Sequence, residues 1–278
     1  MSLLITGARG GIGAGLLRRL HASGHEVRAA SRAPERLGLP AGIPAVALDL
    51  ADPKTFAPAL TGVTDVFLYA EPAGIEALLS TAVTAGVQRV VLLSSDSAVL
   101  PDAERNALAR HHLQVERALR AAPLTATVLR PGGFATMALH WAEAIRAGRP
   151  VEQPCPDAQL DVIHPQDIAD VAELALTSDR LDGETVTLGG PEVLSFRDQA
   201  RILGELLGRP VELCEPTRQQ AAKHLSAHVP AALAESILDY WAALPTEHHE
   251  AARSTERLTG RPGRPFRRWA ADNLDLFR

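Results

Sequence analysis

Residues 5–20 read ITGARGGIGAGLLRRL. An apolar run, SLLIT at 2–6, leads into this stretch, and an amphipathic pattern over 11–22 leads out of it. That context predicts strand, tight turn, helix. Gly7, Gly10 and Gly13 recur at every third residue. Each has a separate job in a dinucleotide loop. Gly7 permits the tight turn, Gly10 lets the backbone approach a pyrophosphate, and Gly13 lets helix and strand pack closely. Backbone N–H groups at the helix start, from Gly11 and Ile12 onward, would face the phosphates. The alternative is a glycine-rich corner without a ligand, and the pattern downstream argues against it.

Downstream, short apolar runs alternate with helical patterns. HEVRAAS, IPAVALDL, TDVFLYA, QRVVLLSS and LTATVLR read as strands. Helices are expected over 53–60, 73–86 and 102–121, the second stopped by Gly86. Continuous apolar strands between amphipathic helices indicate a parallel sheet covered on both faces. The expected fold is therefore α/β, a doubly wound Rossmann sheet. Beyond residue 150 the pattern changes. Prolines 150, 154 and 156 break the chain, followed by a strand LDVI, a helix over 165–177, a strand ETVTLG, a helix over 196–207 and a strand VELCE. Pro230, Pro245 and Pro265 punctuate a helical C-terminal stretch. The expected organisation is a nucleotide-binding domain over 1–150 and a smaller, mostly helical substrate region over 151–278, partly interleaved with the first. A cleft between them is the expected substrate site.

Bulk composition narrows the partners. The chain has 278 residues, 46% of them hydrophobic, and a formal net charge of −5. That charge argues against nucleic-acid binding, and the basic RLTGRPGRPFRRWA stretch reads as a solvated loop. Cys155 and Cys214 are too few to staple such a chain, which points to a reducing cytoplasm. The first strand begins at Ser2, leaving no room for a signal peptide, and no apolar run reaches membrane-spanning length. No metal cluster is expected, and His248-His249-Glu250 lacks companion ligands. Aromatics make up only 4%, so the core is expected to be Leu, Val, Ile and Ala.

The spacing G-x-x-G-x-x-G after Thr6 resembles the short-chain dehydrogenase/reductase superfamily in its extended and atypical branches. AGVQRVVLLSS (85–95), HHLQVERALRAAPLTATVLRPGGF (111–134), DVIHPQDIADVAELAL (161–176), LGGPEVLSFRDQARILGELLGRPV (188–211) and TGRPGRPFRRWAADN (259–273) resemble its NmrA-like group. The similarity covers nearly the whole chain, and 188–211 is its most specific part.

The second strand ends Ser31-Arg32, where an NAD enzyme carries an acid for the ribose 2′-hydroxyl. With no carboxylate there, Arg32, joined by Arg9 from the glycine loop, favours a 2′-phosphate and hence NADPH. The resemblance adds Asp49 and Leu50 as an adenine-binding pair, Ala70 in the cofactor trough, and Gly132 and Phe134 in a loop beneath the nicotinamide. The competing readings are a strand-end cap for Asp49 and a plain turn for Pro131–Phe134.

The resemblance also implies a Tyr-x-x-x-Lys pair on the helix after the fifth strand, the Tyr donating a proton and the Lys binding ribose. Glu116 matches the Glu that follows such a Lys by four residues. Counting back places His112 at the Lys position and Leu108 at the Tyr position. The only tyrosines are Tyr69 and Tyr240. The usual acid is missing. Ser95 is the candidate for hydrogen-bonding a substrate carbonyl, with Asp96 the alternative and a turn cap the structural reading. His112 is the candidate ribose ligand or proton relay, near its ordinary pKa of about 6.5. His164 and Asp167 read as structural.

Three functions remain open: a reductase taking its proton elsewhere, a non-catalytic NADP(H) sensor, and a plain binder. The leading expectation is an NADPH-dependent reductase of a small-molecule ketone or quinone. The chain resembles the Tyr-less ketoreductases of angucyclinone and simocyclinone pathways, which implies an aromatic polyketide substrate in antibiotic biosynthesis.

Overall fold

The computed structural model describes residues 2–278. The chain divides into two compact units that interleave along the sequence. The first comprises residues 1–101, 109–131 and 168–187, and the second 102–108, 132–167 and 188–278.

In chain order the elements are β1 (Ser2–Ile5), α1 (Gly11–Ala22), β2 (Glu26–Ser31), β3 (Ala45–Ala47), α2 (Phe56–Leu60), β4 (Asp65–Tyr69), α3 (Ile75–Ala85), β5 (Arg89–Leu93), α4 (Ala107–Ala121) and β6 (Thr125–Pro131). They continue as α5 (Ala142–Arg146), β7 (Val151–Glu152), β8 (Gln159–Val162), α6 (Pro165–Thr177), β9 (Thr185–Leu188), β10 (Glu192–Ser195), α7 (Phe196–Leu207) and β11 (Leu213–Cys214). The remainder is α8 (Arg218–Ser226), α9 (Ala231–Ala243), α10 (Ser254–Thr259) and α11 (Phe266–Asp272).

The first unit is built on a seven-stranded sheet ordered β3-β2-β1-β4-β5-β6-β9, its first six strands paired in parallel. The strands read as continuous apolar runs because both faces are covered: Leu3, Leu4 and Ile5 are all fully buried. The order reverses at β1, which pairs with β2 on one side and β4 on the other. A crevice opens beyond the carboxyl ends of strands at such a reversal. Here the residues beyond those ends are Thr6-Gly7 and Ala70-Glu71. Gly86, at φ 86°, stops α3, as expected from the sequence. The helix expected over 102–121 begins instead at Ala107. Residues 102–106 form a turn in which the Asp102 carbonyl accepts from the N–H groups of Arg105 and Asn106.

The second unit holds two small sheets, β8–β10 antiparallel and β7–β11 parallel. Strands β7, of two residues, and β10, of four, are not expected from the sequence. Its core is mostly Ala, Leu, Ile and Val, as expected from composition, and it also gathers the rings of Trp141, Phe196, Phe266, Trp269 and Phe277 in one cluster, with edge-on contacts such as Trp141–Phe196 at 6.3 Å. Helix α7 starts on a reciprocal cap, with Ser195 Oγ accepting from the Asp198 N–H and Asp198 accepting from the Ser195 N–H.

Candidate functional site

The carboxyl edge of the sheet carries a trough of about 640 Å³. Of the residues expected to hold a cofactor, Gly7, Arg9, Gly10, Ser31, Arg32, Asp49 and Leu50 line it. Gly7 has φ +64°, a left-handed conformation suited to glycine. A Cβ on Gly13 would stand 2.5 Å from the Gly7 carbonyl oxygen, so only glycine lets α1 approach the loop this closely. Gly10 caps α1 without a side-chain bond, and no acid occupies the first turn. The positive end of the helix dipole is thus not neutralised by a carboxylate. Gly11 is exposed at the helix start, while Ile12 is buried and anchors the turn.

The guanidinium groups of Arg9 and Arg32 line this trough and form no ion pair or hydrogen bond with any described residue. Ser31 Oγ accepts from the Ala33 N–H at 3.1 Å. Asp49 Oδ1 accepts from the Ala51 N–H at 3.0 Å, so the strand-end cap is real, yet the residue still faces the trough with its other oxygen unassigned. Ala70 does not line the trough. Its carbonyl takes a hydrogen bond from His111 Nε2 at 3.1 Å, tying α4 to the end of β4. Gly132 and Phe134 belong to the second unit. There the Gly132 N–H donates to the Leu188 carbonyl at 3.0 Å, and Phe134 bridges to Ile163.

Among the trough residues that escaped the sequence reading, Tyr69 and Glu71 carry polar groups. Both sit at the carboxyl end of a strand beside the reversal, the one positional signal that marks them. Burial pushes the Tyr69 pKa up to about 12, with the Gly13 backbone N–H acting against the rise. Glu71 Oε1 accepts from the Ala73 N–H at 3.1 Å.

Helix α4 carries the other expected group. Glu116 is fully buried. Its Oε1 accepts from Ser94 Oγ at 2.6 Å and Arg130 Nε at 2.9 Å, and its Oε2 from Arg130 at 2.5 Å and Arg120 at 2.9 Å. Burial by itself would raise the carboxyl pKa. The Arg130 and Ser94 hydrogen bonds and the two guanidinium charges outweigh it and hold the pKa below the usual value.

His112, one turn earlier, corrects the sequence expectation. Burial lowers its pKa to about 4, with His111 adding repulsion and Glu116 opposing. Burial thus favours the neutral imidazole at physiological pH, which argues against a relay titrating near 6.5. Its Nδ1 is buried without a protein partner. Ser95 Oγ accepts from the Ser97 N–H at 3.1 Å, the turn-cap geometry, which leaves its hydroxyl hydrogen free to donate. His164 Nδ1 accepts from the Gln166 N–H, and Asp167 pairs with Arg264, both structural as read from the sequence. Among the described residues no His, Cys, Asp and Glu cluster is arranged to hold a metal ion. His249 Nε2 instead lies 3.4 Å from Asp161. No helix among them is long and apolar enough to cross a membrane.

A slightly larger depression, about 740 Å³, lies along α7 and residues 208–213. Its three arginines are already bonded, to Asp157, Glu205 and the Ile145 carbonyl, so it lacks the uncommitted cations of the trough.

A dinucleotide fits the trough chemically. The glycine cradle would be filled by any Cβ, the dipole end lacks an acid, and two unpaired cations line the rim. The NAD(P)H-binding family model matches residues 7–179. The chain is 34% identical over 99% of its length to "(4-alkanoyl-5-oxo-2,5-dihydrofuran-3-yl)methyl phosphate reductase" of Streptomyces griseus, covering 99% of that protein. It is 29% identical to an NAD(P)H azoreductase of Xenophilus azovorans, again over 99% of both chains. The solved structure of an Escherichia coli NADPH-dependent quinone oxidoreductase in complex with NADPH superposes with TM-score 0.80 over 99% of both chains at 21% identity. The glycine loop, the doubly wound sheet and these likenesses agree: the chain belongs to the NAD(P)H-binding family of atypical, NmrA-like short-chain dehydrogenases/reductases, and it is an NAD(P)H-dependent oxidoreductase.

Proposed function

We propose that the chain uses NADPH to reduce a conjugated carbonyl acceptor, a quinone or an aromatic ketone of the polyketide type, without a side-chain acid. The observation that carries this reading is the missing acid on α4. Leu108 occupies the tyrosine position and His112 is neutral. Tyr69 is held on the glycine loop, and Tyr240 lies in α9. An acceptor that must be protonated as it is reduced is poorly served here. A quinone, or a polyketide ketone whose carbonyl belongs to a quinone-type ring, spreads the negative charge formed on hydride addition over its own π system and takes its proton from water afterwards.

Bound NADPH supplies the hydride. Ser95 donates its free hydroxyl hydrogen to the acceptor's oxygen. His112, uncharged, hydrogen-bonds a ribose hydroxyl and places the cofactor. Arg9 and Arg32 hold the 2′-phosphate, and Asp49 accepts from the adenine amino group. The relatives support the reading. The dihydrofuranone in the first relative's name is a double bond conjugated to carbonyls, and an azo group is likewise a conjugated acceptor. The first relative's Streptomyces source accords with a role in antibiotic biosynthesis.

The test is NADPH oxidation, followed by loss of nicotinamide absorbance, with naphthoquinones, hydroxyquinone-type polyketides and unconjugated aliphatic ketones of matched size. Turnover is expected with the first two classes and not the third. Equal rates with the aliphatic ketones would refute the acid-free mechanism.

A further inference from the structure

Tyr69 ends β4 in the part of the trough where a dinucleotide's pyrophosphate crosses the glycine loop. The tyrosine ring lies against Gly7, so that a Cβ there would stand 2.2 Å from Cε2. Its hydroxyl reaches Gly10, 3.6 Å from where a Cβ on that residue would be. The phenol thus stands beside the glycine loop where α1 begins. Among the described residues, no group accepts the hydroxyl's own hydrogen.

We propose that Tyr69 is a cofactor-positioning residue whose hydroxyl donates to a pyrophosphate oxygen of the bound dinucleotide. A hydroxyl donating to an anion makes a charge-assisted hydrogen bond. It suits the site for three reasons. Tyr69 lines the same trough as Arg9 and Arg32, so the donor and the two cations serve one ligand. The hydroxyl stays protonated at every working pH, its pKa standing at about 12. The ring is locked in place by Gly7 below it and by an edge-on contact with Phe67 at 5.7 Å, so little rotamer freedom is lost when the ligand binds. The role explains a tyrosine that supplies no proton to the reaction and yet borders the cofactor.

The test compares Tyr69→Phe with the unaltered protein by calorimetric titration of two probes. NADP+ carries the pyrophosphate, and adenosine 2′-phosphate carries the adenine and 2′-phosphate without it. Loss of one hydrogen bond to an anion is expected to weaken NADP+ about tenfold, with adenosine 2′-phosphate unchanged. NADP+ affinity within twofold of the original would overturn the proposal, and so would equal weakening of both probes, which would indicate a disturbed loop. A second measurement does not depend on that variant. With 3-fluorotyrosine incorporated, the chain's two tyrosines give two fluorine resonances, assigned with Tyr240→Phe. The Tyr69 signal is expected to shift on adding NADP+ and to stay put on adding adenosine 2′-phosphate. A Tyr69 signal unmoved by NADP+ overturns the proposal.

Discussion

Replacing Glu116 by Gln keeps the side chain's shape and removes its charge. No cavity opens, so the cost is electrostatic. Arg130 is only 13% exposed, and it loses both the charge facing it and its second acceptor, because the new amide NH2 points donor against donor. Breaking a buried ion pair from one side costs about 3–5 kcal/mol. Arg120 is 47% exposed, and water screens its share to a few tenths at most. Gln Oε1 still accepts from Ser94 and Arg130 Nε, which keeps the loss at the lower end, about 3 kcal/mol. At roughly 2–4 °C per kcal/mol for a chain of this size, the melting transition of the sheet-bearing unit should fall by roughly 6–12 °C. The pH dependence has a definite sign. The folded carboxyl titrates below its ordinary value, so the unfolded chain takes up the proton first as pH falls. The gap between the two proteins should be flat from about pH 8 to about pH 5, then narrow as acid protonates Glu116. Thermal melts by circular dichroism across that range measure it. A loss under about 1 kcal/mol at neutral pH, or a gap that widens on acidification, would refute the assignment of Glu116 as a charge-paired anchor of α4.

Arg32→Ala should weaken NADPH binding about tenfold, the lower range for a charge-assisted bond at an exposed site, and leave NADH nearly unchanged. Fluorescence titration of both cofactors decides it, and unchanged selectivity would remove Arg32 from the 2′-phosphate. Gly13→Ala puts a Cβ 2.5 Å from a backbone oxygen that cannot move aside. It should destabilise the fold by about 1–3 kcal/mol and cut cofactor affinity at least tenfold, read by urea unfolding and the same titration. For His112, whose pKa falls to about 4 on folding, the unfolded chain binds a proton as pH drops below about 6.5 and the folded chain does not until near 4. Folding stability should therefore decline over that window, and His112→Gln should remove the slope. The pH profile of kcat should show no inflection near 6.5 that depends on His112, and such an inflection would sink the neutral assignment.

Much of the cofactor half was legible in the chain. Strand, glycine turn and helix are local features, and α1, α6 and α7 lie where periodicity placed them. The left-handed turn at Gly7 and the close approach of Gly13 to the Gly7 oxygen follow from spacing because both constraints act within a few residues. The turn at 102–106 and the two-residue β7 were not legible, being too short to carry a period, and β10 is defined by its pairing with β8, about 30 residues away. The aromatic packing of the second unit was hidden too, since 4% aromatic content says nothing of where the rings gather.

By itself the sequence determined that a glycine loop of the dinucleotide type follows the first strand, that Ser31-Arg32 stand where an acid would select NAD, with Arg9 in the glycine loop, and that no tyrosine lies on the helix after the fifth strand. Those are statements about residue types at fixed local spacing. Only the tertiary structure decided the ionisation of His112 and the burial of Glu116 between Arg120 and Arg130. It also decided the placing of Tyr69 over the glycine loop, 62 residues from Gly7 along the chain. Each depends on what surrounds a group in space. A pKa follows desolvation and neighbouring charge, and neither is written in the order of the residues.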